Sequence, residues 1–441
     1  MNSPASQQTT LTESFEKDWT MADENDQEGI HSIHIYPARM VPKVVRDLVD
    51  IYGRSGEPLG DLYVGSGTVG VEALKKGYDV ILSDINPLSE LLTRVKCTYI
   101  NPTRLEGYLA RIRESLEVTK ISGEEVKAET EMIPHLEYWF KPKVIDALVV
   151  LRREIFGIRD REVRDFFKVC FSLTVRKASN IRTREFKLYR RSEESLKTYA
   201  PNVEKIFVSI ASKAIQGMSS IKEINKKPTI LTEDARNTSI KSGTLGTIVT
   251  SPPYGDSSTT VAYGQFSKYP LLWLKYDLEE VKDIDKVSLG GKESGGNGDP
   301  ADVVAKSPSL RGVYEKVRAK DVERSVVLAR FFKDYDDGLK EMRRVLKNDR
   351  KCVIIIGNRT MRGVKIPTVQ ITKELAERGW LIEGKLKRFE RIDMRERKIY
   401  QKRMPYVGTP QGRNISNIHC QVPWLPRTHS HSTRIPFRGQ R

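Results

Sequence analysis

The chain has 441 residues, 38% of them hydrophobic, and carries 75 Lys and Arg against 58 Asp and Glu, a net charge of +17. That length supports two or three domains or one enlarged domain, and the charge favours a polyanionic partner. No apolar run approaches the roughly 20 residues of a bilayer span, and the polar start MNSPASQQTT lacks signal-peptide character, so a cytoplasmic protein with no membrane partner is expected.

Residues 1–28 form an acidic leader expected to be disordered: one Lys and seven acids fall within residues 1–30. Residues 29–100 open with IHSIHIYPARMVPKVV, in which Pro42 suits a first helical turn. PLGDLYVGSGTVGVEALKKGYDVILSDINPL then reads as a strand ending near Val64, a glycine turn, a helix stopped by Gly77, and a second strand reaching Asp84. From 101 to 225 apolar residues recur at three- and four-residue spacing, which predicts a helical insertion. Strand signals return over 226–276, in TILTEDARN and GTIVTSPPY.

Residues 277–330, with SLGGKESGGNGDPAD, read as a mobile glycine-rich loop region and one candidate for target recognition. Over 331–390, helix YDDGLKEMRRVLK, strand CVIIIGN, helix TVQITKELAERGW and strand LIEGKLKRFE complete an alternating pattern. The fold expected is α/β, a doubly wound Rossmann-like core with an α-helical insertion. The segment 391–441 is basic: residues 385–441 hold 14 basic and three acidic residues.

Two stretches carry chemistry. Gly65-Ser66-Gly67-Thr68-Val69-Gly70 matches G-x-G-x-x-G between a strand and a helix, with Asp84 19 residues after Gly65. Such a turn lets a ligand approach the backbone, and an acid ending the second strand binds ribose hydroxyls. It identifies a nucleoside cofactor without choosing among NAD, FAD and S-adenosylmethionine. Ser251-Pro252-Pro253-Tyr254 ends another strand. Two prolines fix two φ angles and remove two backbone donors, leaving a stiff turn with free carbonyls. The Ser251 hydroxyl and Pro252 carbonyl can together accept both hydrogens of an amine, and the Tyr254 ring offers a face to a flat heterocycle. The cysteines Cys97, Cys170, Cys352 and Cys420 contain no C-x-x-C pair, and His31/His34 and His429/His431 lack further ligands, so no metal is expected.

DLYVGSGT and SPPY together resemble motifs of the amino-directed DNA methyltransferases, which methylate cytosine N4 or adenine N6 using S-adenosylmethionine. HIYPARMVPKVV, ASNIRTREFKLYR, SPPYGDSSTTVAYGQFSKY and IIIGNRTMRGVKIPT extend the resemblance to cytosine-N4 restriction-modification enzymes over most of residues 30–405. It implies transfer of a methyl group to the N4 amine of a cytosine flipped out of double-stranded DNA, with a restriction endonuclease as functional pair and the chain acting as a monomer. Ser251 at the first motif position points to cytosine. Carbon-5 methylation is disfavoured because Val169 and His419, not proline, precede Cys170 and Cys420.

The resemblance also implies roles for Asp61 at the methionine end of the cofactor, for Ser66 and Thr68 in the cofactor loop, for Asp234 beside the adenine, and for Tyr36 and Pro37 in the methionine pocket. Arg176, Lys177, Arg182, Arg184 and Lys187, among aromatics in FSLTVRKASNIRTREFKLYRR, are the expected nucleic-acid contacts. The roles of Asn358 and Arg359, at a carboxyl strand edge, stay open. Alternatives are an adenine-N6 enzyme, an RNA methyltransferase of the tRNA guanine-N2 type, and a non-catalytic DNA-binding regulator.

Overall fold

The computed structural model describes residues 28–182, 186–257, 260–294 and 299–379, together with the strands Phe389–Ile392 and Ile418–Pro423. Its strands are β1 (Leu59–Asp61), β2 (Val80–Ser83), β3 (Thr229–Leu231), β4 (Leu245–Thr250), β5 (Leu346–Gly357), β6 (Arg359–Met361), β7 (Val364–Ile366), β8 (Phe389–Ile392) and β9 (Ile418–Pro423). Seven of them form one sheet in the order β3-β2-β1-β4-β5-β9-β8. The first five are parallel, β9 runs antiparallel to β5, and β8 antiparallel to β9.

Why the central strands read as continuous apolar runs follows from their burial. In β5, Val353 and Ile355 enter one hydrophobic cluster while Cys352, Ile354 and Ile356 enter the other. Val249 and Ile248 of β4 divide in the same way. Since side chains alternate across a strand, the two clusters are the two faces of the sheet, and a strand covered on both faces needs apolar residues at every position. The fold is therefore a doubly wound, Rossmann-like α/β sheet.

One face is covered by the helices Pro42–Tyr52 and Thr68–Lys75 and by a group of helices between Pro102 and Met218. Within that group Arg161–Ala178 packs on Val203–Met218 through Phe167 and Phe207, whose rings lie 6.1 Å apart. The other face is covered by Val322–Val345 and Thr368–Gly379.

The stretch 277–330 departs from the glycine-rich loop expected of it. It holds the helices Leu278–Val287, Pro300–Lys306 and Pro308–Arg318 and the start of Val322–Val345. Asp277, Asp299, Ser307 and Asp321 cap these helices, each side chain accepting a backbone N–H. Such caps contribute about 1 kcal/mol apiece and start a helix even beside glycine-rich sequence. Residues 1–27 and 393–417 lie outside the described residues. So do 380–388, which hold most of LIEGKLKRFE; β8 begins at its last two residues.

Candidate active site

β1 leads to β2 on one side and lies against β4 on the other, so the crossover direction reverses between β1 and β4. Ligands of open α/β sheets bind outside the carboxyl ends of the strands at such a point. A cleft of about 820 Å³, its open mouth included, lies there. Its wall takes Leu62 to Ser66 after β1, Asp84 to Asn86 after β2, Asp234 to Arg236 after β3, and Ser251 and Pro253 after β4. Tyr36, Pro37, Thr68 and Tyr263 also line it, and Ile284, Val287 and Leu289 add apolar surface.

The glycine turn is shaped by its neighbours. Gly65 and Gly67 have φ of +53° and +79°, a region that other residues enter with strain. A Cβ on Gly67 would lie 2.8 Å from Thr93 Oγ1, and one on Gly70 would lie 2.6 Å from Leu82 Cδ1. The Gly65 N–H donates to Asp84 Oδ2 at 2.8 Å and the Asn86 N–H donates to Oδ1 at 2.9 Å. Burial pushes the Asp84 carboxyl above its ordinary pKa, and these two donors oppose that shift. The acid at the end of β2 is thereby fixed to the turn and faces the cleft. Tyr36 stacks on Tyr263 with ring centroids 5.9 Å apart, and its hydroxyl accepts from Asn86 Nδ2 at 3.3 Å.

Asp61 does not line the cleft, a correction to its expected contact with a ligand. It is fully buried. Its Oδ1 accepts from Thr250 Oγ1 at 2.6 Å and from the Tyr63 N–H at 3.0 Å, and burial pushes its pKa up to about 7. Asp61 thus ties the end of β1 to the residue before Ser251. Asp234 lines the cleft, but its carboxylate is occupied: Arg236 Nε donates to Oδ1 at 2.9 Å and to Oδ2 at 3.0 Å. The same guanidinium lies 3.0 Å from the buried Asp334 carboxylate and donates to the Val287 carbonyl at 2.8 Å.

In the proline turn, Ser251 and Pro253 face the cleft, Pro252 is buried, and Tyr254 stands beside the wall, half-buried against the core. Burial pushes the Tyr254 phenol up, and the neighbouring Ser251 side chain opposes that shift. Below the turn, Arg359 answers the question its sequence position left open. Its guanidinium is 3.3 Å from Asp256 Oδ2 and 5.3 Å from the centre of the Phe331 ring, and it fills the space where a Cβ on Gly255 would stand.

The basic run is divided. Arg176 is buried: it donates to the Phe266 carbonyl at 2.7 Å and lies 4.1 Å from the Phe266 ring, and burial lowers its pKa to about 10. It faces the core, and its expected nucleic-acid contact is withdrawn. Lys177 and Arg182 are exposed, Lys187 is half-buried, and Arg184 lies outside the described residues. The histidines also have structural partners, His31 on Glu72 at 2.8 Å and His34 on Ser172 at 2.9 Å. No cluster of three metal-binding side chains occurs among the described residues.

Sequence reasoning missed several of these groups. Asn86 was legible as the residue before Pro87, a usual cap signal, and its Oδ1 accepts the Leu88 N–H. Lys96 is fully buried and donates to the Ser66 carbonyl at 2.9 Å, with burial lowering its pKa to about 7. Nothing local distinguishes it from the exposed lysines that usually end helices. Arg236 and Arg359 depend on partners about one hundred residues away.

No protein-family model matches the chain. It is 32% identical over 411 residues to the type II methyltransferase M.MvaI of Kocuria varians, a match spanning 88% of this chain and 87% of that relative. A shorter match, 26% identical over 117 residues, covers 25% of this chain and 22% of the type II methyltransferase M.MjaII of Methanocaldococcus jannaschii.

Proposed function

The chain belongs to the type II methyltransferase family, and on that premise we propose that it is a site-specific DNA methyltransferase acting on the exocyclic N4 amine of cytosine. The observation that carries this reading is the meeting of Ser251 and Pro253 with Gly65 and Asp84 on one cleft. S-adenosylmethionine fits the residues present: positive-φ glycines leave room for a ligand, Asp84 is fixed at the end of β2, and apolar Ile284, Val287 and Leu289 line the same cleft as Asp234. When bound, it supplies the methyl group from its sulfonium. Gly65, Ser66, Gly67, Thr68 and Asp84 are its proposed contacts, with Asp234, Tyr36 and Pro37 shaping the pocket.

The chain's own contribution is orientation and hydrogen bonding. An exocyclic amine is a poor nucleophile because its lone pair is delocalised into the ring. The Ser251 hydroxyl and Pro252 carbonyl accept its two hydrogens, which favours pyramidal nitrogen, and the stiff Pro252-Pro253 turn holds both acceptors in place. Tyr254, three residues after Ser251, receives the flipped base on its ring. Lys177, Arg182, Arg184 and Lys187 contact phosphates. We also propose a restriction endonuclease as functional pair and action as a monomer.

The test compares Ser251→Ala and Tyr254→Ala with the parent in labelled methyl transfer to duplex DNA, with S-adenosylhomocysteine binding measured in parallel. Both variants should lose transfer by about 100-fold or more while binding holds. Transfer at parental rate by Ser251→Ala would remove the serine from the mechanism.

A further inference from the structure

Directly after β5, the chain turns back on itself as the β6–β7 hairpin. Arg362 and Gly363 at its tip both have positive φ, +50° and +76°, the two-residue turn whose twist matches a tight antiparallel ribbon. The ribbon has two faces. Met361, Val364 and Ile366 are buried in the core, whereas Thr360 and Lys365, paired across the strands, are exposed.

Arg362 is 56% exposed at the tip. Its ion pair with Asp321, 2.7 Å long, lies at the surface, where such pairs contribute little and exchange readily for another anion. Exposed Lys320 donates to the Arg362 carbonyl and adds a third cation. Beside them the exposed Val322, 62% accessible, gives the patch an apolar margin. The base of the ribbon is Arg359, paired with Asp256 two residues after Tyr254. One end of the hairpin therefore fixes the catalytic turn while the other presents cations outward.

We propose that the β6–β7 hairpin is a DNA-contacting ribbon, resting on duplex DNA beside the target base with Arg362 and Lys365 on phosphates. This rests on the methyltransferase reading above. A two-stranded ribbon fits the width of a DNA groove, and the cations at its tip and outer face complement phosphate charge. Its rigid link to the Ser251 turn makes docking of the ribbon and placement of the flipped base a single geometric event.

The test uses the full chain with unmethylated genomic DNA fragments, comparing the parent with an Arg362→Ala/Lys365→Ala double variant. DNA affinity is measured against salt concentration, KM for DNA at one salt concentration, and S-adenosylhomocysteine binding as the control. The salt slope should fall by about 2, KM should rise on the order of tenfold, and the control should not change. The charge-keeping pair Arg362→Lys/Lys365→Arg should keep the parental slope. An unchanged slope and KM in the alanine pair would overturn the ribbon while leaving the function intact, and so would a charge-keeping pair that loses as much as the alanine pair. A parent that methylates RNA but not DNA would overturn both.

Discussion

Replacing Asp61 by Asn isolates one buried charge. The Asp61 carboxyl titrates near 7 in the folded chain against 3.8 as the ordinary value, chiefly because burial disfavours its anion. The folded state therefore keeps a proton that the unfolded chain releases. Stability is unpenalised below the lower value and is lost as pH rises through the window between them. Three units correspond to roughly 4 kcal/mol in full, of which about 2–3 kcal/mol develops between pH 5 and pH 8. Asparagine keeps an Oδ1 for Thr250 and Tyr63 and cannot ionise. Thermal unfolding of parent and Asp61→Asn without ligand should thus show the variant gaining on the parent from pH 5 to pH 8, by on the order of 5 °C. An offset that stays constant with pH, or a parent that gains on the variant, would refute a buried neutral carboxyl.

Three further outcomes follow from the geometry. Gly67→Ala places a Cβ at φ +79° and 2.8 Å from Thr93 Oγ1, so calorimetry should show S-adenosylmethionine affinity falling tenfold or more. Arg236→Met leaves Asp334 buried and uncompensated; denaturant unfolding should register a loss of about 3–5 kcal/mol, with Arg236→Lys losing less. Arg176→Met should lower the melting temperature without altering the salt dependence of DNA binding, whereas Arg182→Ala should do the reverse.

The parts of the cleft legible in the sequence are those where local backbone geometry dictates residue type. Gly65 and Gly67 sit at positive φ, Asp84 closes the second strand on the Gly65 amide, and Pro252-Pro253 stiffens the turn after β4. Each leaves its mark within a few residues. The sheet was legible for a similar reason, because strands covered on both faces must be apolar throughout.

What was misread depends on facing or on distance. Arg176 and Lys177 are adjacent, yet one helical step separates a core arginine stacked on Phe266 from an exposed lysine. Asp61 lies four residues before Gly65 but turns into the sheet toward Thr250, a partner 189 residues away. In 277–330 the glycines masked four capping residues that start helices. The ion pairs Arg236–Asp334 and Arg359–Asp256 join residues that only the fold brings together.

The most direct test of the central claim is nucleoside mass spectrometry of duplex DNA and of bulk tRNA after incubation with the protein and labelled S-adenosylmethionine. The account predicts labelled N4-methylcytosine in the DNA alone. Labelled N6-methyladenine would contradict the assignment of the base, and label confined to RNA would contradict DNA as the substrate.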